Sequence, residues 1–123
     1  DRINMIKIDD AMAANGAKER LGDSVKFYFG DSKAPKAIES RGPVKTSKKT
    51  NSFGKSPEES CNWVFLSAML ELQKAAQKAG ANAVVNIQSN YNNVPRSSNT
   101  EIECHDGAIM SGIALKGDMV RIK

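Results

Sequence analysis

Two cysteines, one histidine and a lysine-rich segment are the residues of this 123-residue chain whose types could do chemistry. Cys104-His105-Asp106 sets a thiol, an imidazole and a carboxylate side by side. A nucleophile, its base and an orienting group must converge in space. Neighbours on a strand point to opposite faces, so three in a row cannot converge. His105, the single histidine, therefore reads as a turn residue and not as a ligand, within a tight His105-Asp106-Gly107 turn of hairpin composition. Glu101 and Glu103 alternate with Thr100, Ile102 and Cys104, which places both carboxylates on a solvent face. Acid–base work needs two carboxyl groups with different environments, and nothing in the pattern buries either one.

Gly54-Lys55-Ser56 invites a phosphate-loop reading, but that loop needs a glycine where Lys49 stands. A helix cap explains these residues better. The cysteines lack a Cys-x-x-Cys spacing, so neither a zinc site nor a thioredoxin-type motif is expected. Two readings of Cys61 and Cys104 stay open at this point. They are buried free thiols, or they form a disulfide that belongs outside the reducing cytosol.

Lysine and arginine outnumber aspartate and glutamate by 18 to 14, a net charge of +4. Much of the excess falls between Lys33 and Lys55. Lys45, Lys48, Lys49 and Lys55 are the candidate anion-binding residues, for nucleic acid, lipid headgroups or lipopolysaccharide. The plainer reading is a lysine-lined edge that discourages sheet-to-sheet aggregation. Aromatic residues are sparse in this segment, and binders of single-stranded nucleic acid usually supply stacking platforms. Nucleic acid is therefore the less favoured partner. No apolar run approaches the ~20 residues of a membrane-spanning helix, and no cofactor motif is present.

The elements that must position these residues centre on one helix. Ser56 suits the N-cap, Pro57 the first turn, and Glu59 the capping-box position. Apolar residues then recur at helical spacing from Cys61 through Val64, Phe65, Ala68, Met69 and Leu72 to Ala79, and Gly80 closes the helix, which spans about 57–79. Residues 1–8 read as an extended arm, and Asp9 to Leu21 as a short alanine-rich helix weakened by Gly16. Val25–Phe29 is an aromatic strand. Residues 36–55 are ambiguous between an edge strand and a loop. Ala83–Gln88 and Thr100–Cys104 read as strands, as does Ala108–Leu115, where Gly112 lets another backbone come close. Lys116-Gly117-Asp118 reads as a turn before a short final strand. The fold class is α+β: one long helix on a mixed or antiparallel sheet of about 4–5 strands. The organisation expected is an N-terminal arm and short helix over 1–23, then a single domain over 24–123.

At Ser60-Cys61, Ala81-Asn82-Ala83-Val84 and Cys104 through Leu115 the chain resembles small secreted proteobacterial proteins that often carry the label excinuclease ATPase subunit. It is similar, more distantly, to the outer-membrane lipoprotein that senses envelope stress for the Rcs phosphorelay. The resemblance covers Ser24 to Ile122. It implies a Cys61–Cys104 bridge, a removed signal peptide, and a periplasmic or secreted protein without catalytic activity. It does not support the ATPase label, because the nucleotide-binding loop is missing. The lipoprotein's second disulfide has no counterpart either: Ser89 or a neighbour and Met110 stand in those regions. The function expected is a binding or sensing module of the envelope. Its partner would be an envelope protein or an anionic envelope component, and a second copy of the chain is one further candidate. The alternative is a nucleic-acid-associated protein that uses residues 41–55.

Overall fold

The computed structural model describes residues 2–123. Among these residues it has six strands and three helices, one of them long. The strands are β1 (Arg2–Lys7), β2 (Lys26–Phe29), β3 (Ala37–Asn51), β4 (Ala83–Ser89), β5 (Glu101–Asp106) and β6 (Met110–Ile122). The helices are α1 (Ile8–Met12), α2 (Ala17–Leu21) and α3 (Pro57–Ala79).

The α+β class expected from the sequence is the class observed, but the sheet is larger. All six strands join one curled, mixed sheet. Its order is β1-β5-β6-β4-β2, with β3 on the remaining edge of β6. The β2–β4 pair is parallel and the other pairs are antiparallel. Because β3 follows one edge of β6 throughout, β4 and β5 must share the other. β5 holds only Ser111 and Gly112, and β4 takes over at Leu115. The sheet forks there.

Helix α3 has the bounds its capping signals imply. The Ser56 hydroxyl accepts from the Glu59 N–H at 3.1 Å, and Gly80 ends the helix at φ 76°. Cys61, Val64, Phe65, Ala68, Met69, Leu72 and Ala76 are buried against the sheet, whose inner face includes Ile113 and Leu115. Each large side chain so buried contributes roughly 1.5–3 kcal/mol. The expected N-terminal helix is two five-residue helices, because Asn15 and Gly16 both adopt positive φ between them. The expected arm, residues 1–23, supplies β1 and both short helices. Its Ile6, Ile8, Ala11 and Leu21 lie in the α3 core. Asp1, at the start of that arm, lies outside the described residues.

Two further sequence expectations are corrected. Lys116-Gly117-Asp118 is not a turn but the middle of β6. Gly117 is there because β4 crosses closely, with a bulge at Asn86. A Cβ on Gly117 would sit 3.0 Å from both the Val85 carbonyl oxygen and Val84 Cγ1. His105 and Asp106 are not turn residues either; they end β5, and the hairpin turns through 107–109.

Candidate functional site

Cys61 and Cys104 form a disulfide, with Cα atoms 6.1 Å apart and both residues 0% exposed. It ties the first turn of α3 to β5. Cys104 is thus not a free nucleophile. The next two residues diverge as strand geometry requires. Asp106 turns inward, where it accepts from the Ser111 hydroxyl at 2.8 Å; Ser111 in turn meets the Ser60 hydroxyl at 3.0 Å. The Arg2 guanidinium lies 3.7 Å from the other Asp106 oxygen. Together these contacts satisfy a polar pocket beside the disulfide. His105 turns outward and stacks on Tyr91, with ring centroids 3.3 Å apart.

The solvent-face expectation holds less well for Glu103. Its side chain is only 12% exposed, because the segment from Ser89 to Arg96 crosses the fork in the sheet. Ser89 Oγ accepts from the Glu103 N–H at 2.9 Å. The Glu103 carboxylate meets His105 Nε2 and lies 3.6 Å from the Arg96 guanidinium. This covering depends on a loop crossing that no periodicity announces.

The four lysines singled out from the sequence do not converge. β3 alternates, with Val44, Thr46, Lys48 and Thr50 half-buried and Lys45, Ser47 and Lys49 exposed. Lys48 faces α3, where its ammonium is 3.7 Å from the Glu71 carboxylate. Lys55 sits apart, in the loop before α3. Lys45 and Lys49 lie on the outer face of the sheet, away from the helix.

A residue missed by sequence reasoning completes that face. Lys116 stands directly opposite Lys45 in the β3–β6 register, and Gln88 of β4 stands opposite Lys116 on its other side. These three residues line one open cavity of about 200 Å³ with Asn86 and Asp118. Among the described residues, no carboxylate lies within 4.0 Å of the ammonium of Lys45, Lys49 or Lys116. A second cavity on the same face, about 330 Å³, is lined by Lys49, Tyr91 and His105 above Gly112. Tyr91 lies close over Gly112, where a Cβ would come within 3.8 Å of its ring. These cavities together present three cations, the Asp118 carboxylate, an aromatic pair and amide side chains. Such a set can hold oxyanions and stack on a ring.

Among the described residues, no helix is long and apolar enough to cross a membrane. No protein-family model matches the chain, and no curated protein matches it.

Proposed function

We propose that the chain is a non-catalytic binding or sensing module of the cell envelope. On this reading it is exported, closes its disulfide in an oxidising compartment, and takes an anionic envelope component on the outer face of its sheet. The Cys61–Cys104 bridge supports export, since such bonds persist where oxidants are available. The observation that carries the binding reading is the Lys45–Lys116 cross-strand pair. Like charges directly opposite each other destabilise a sheet by roughly 0.2–1 kcal/mol. A phosphate or carboxylate seated between the two ammonium groups would reverse that sign.

The test is titration of the folded protein with lipopolysaccharide and with its dephosphorylated form. Binding is expected to depend on the phosphates and to weaken with salt. The double variant K45Q/K116Q should lose roughly 5–30-fold in affinity, from about 0.5–1 kcal/mol per exposed charge contact. Equal affinity of that variant and the parent would refute the site. Tighter, phosphate-spacing-independent retention on single-stranded DNA would move the reading to nucleic acid, against which stands the single aromatic platform near the lysines, Tyr91 with His105.

A further inference from the structure

The end of the sheet where β5 turns into β6 carries an apolar point. Phe53 is 75% exposed, Ile109 66% and Met110 45%. They come from two adjoining loops, the β3–α3 loop and the β5–β6 hairpin. The loops are held together: the Ser52 N–H donates to the Ile109 carbonyl at 2.7 Å, and the Ser52 hydroxyl donates to the Gly107 carbonyl at 2.8 Å. Asn51 pairs in register with Met110. Large apolar side chains displayed together on a fixed scaffold mark a contact surface.

Cations surround this point. Lys49 lines one cavity with Ile109 and Met110, and Arg2 and Lys55 line another at the hairpin's other side. Of the acidic groups at this end, Asp106 is buried and bonded to Ser111, and Glu58 and Glu59 lie in the first turn of α3. Lys45, Lys49 and Lys116 continue the positive charge along the outer face. Exposed apolar side chains ringed by cations complement an anionic lipid surface, and a fluid interface needs no fitted seat.

We propose that Phe53 and Ile109 insert into the headgroup–acyl boundary of an anionic lipid bilayer, with Lys49 and Lys55 meeting the headgroups. Amphipathic anchors of this kind bind through buried apolar area and attraction to anionic lipid together. The inference is independent of the anion site between Lys45 and Lys116.

The test is co-sedimentation of the intact protein with vesicles of phosphatidylethanolamine and phosphatidylglycerol, beside vesicles of phosphatidylcholine alone. The parent should partition to the anionic vesicles. F53S/I109S should partition at least roughly tenfold less, since two anchoring side chains are lost. Its thermal midpoint should be unchanged, as both side chains are exposed in the fold. In a second measurement, F53W should be quenched by lipids brominated in the acyl chains, with the parent's Trp63 as the blank. No vesicle binding by the parent, equal partitioning of F53S/I109S and parent, or an unquenched F53W would each overturn the proposal. Titration of F53S/I109S with lipopolysaccharide phosphates in detergent solution reads the outer-face site separately.

Discussion

Removing the disulfide should destabilise the protein by about 4 kcal/mol, and the loss should concentrate in one part of the sheet. Cys61 and Cys104 are 43 residues apart. On the chain-entropy model a loop of that length removes ~13 cal/mol/K from the unfolded ensemble, or about 4 kcal/mol at 25 °C. Small domains hold only ~5–15 kcal/mol in total. The bridge also has a local role. β5 is tied to β6 by just two register pairs, His105 with Gly112 and Asp106 with Ser111, whereas its whole length pairs with β1. The bond from Cys104 to α3 is thus the covalent anchor of a two-strand flap. Urea unfolding of the parent and of Cys61→Ala/Cys104→Ala measures the first effect. With a slope of about 1–3 kcal/mol/M, a midpoint lower by roughly 1.5–4 M is expected, and a steeper slope because the unfolded chain expands. Native-state hydrogen exchange measures the second: amides of Ile6 and Ile102 should lose more protection than that of Val84. The parent under reductant serves as a control for the missing sulfur atoms. A loss below about 1 kcal/mol with an unchanged slope would refute the loop-entropy argument. Uniform loss of protection across the sheet would refute the flap.

Gly117→Ala should cost roughly 1–3 kcal/mol, because its Cβ meets a backbone carbonyl that cannot step aside; thermal denaturation reads it. Lys48→Gln should change stability by less than about 1 kcal/mol, since its pair with Glu71 is solvent-exposed, and should leave lipopolysaccharide binding as it was. Lys116→Gln should raise ligand-free stability by roughly 0.2–1 kcal/mol through relief of the repulsion from Lys45, seen as a higher urea midpoint at low salt that disappears at high salt.

What the sequence made legible was whatever local chemistry controls. Ser56, Pro57, Glu59 and Gly80 are cap residues, so α3 could be bounded to the residue. Val25–Phe29 and Ala83–Gln88 are apolar enough to read as strands because both pack into the core. β3 was ambiguous because its inward positions are Val44, Thr46, Lys48 and Thr50, three of them polar; Val44 packs against the core, while Lys48 meets Glu71 of α3. β1 looked like an arm because its outward residues, Ile3 and Met5, are apolar while two of its inward ones, Arg2 and Asn4, are polar, which inverts the alternation a core strand shows. The Lys116-Gly117-Asp118 stretch has turn composition for a tertiary reason, the approach of β4, which composition cannot distinguish from a bend. The same limit hid the candidate site. Lys45 and Lys116 are 71 positions apart in sequence and become neighbours only through the β3–β6 register.

That register also separates the two explanations for the lysines. β3 is an edge strand, paired only with β6, and lysines along an edge discourage pairing with another chain. Edge protection therefore accounts for Lys45, Lys48 and Lys49 without any ligand. It does not account for Lys116, which lies in β6 with β3 on one side and β4 on the other, where no edge exists to protect. A cation in an interior strand, opposite another cation and with no carboxylate within 4.0 Å among the described residues, raises the free energy of the empty fold. Loss of lipopolysaccharide affinity in Lys116→Gln, alongside its gain in ligand-free stability, would assign that cost to binding. A gain in stability with affinity intact would leave Lys116 with no part in ligand binding and return the remaining lysines to the edge.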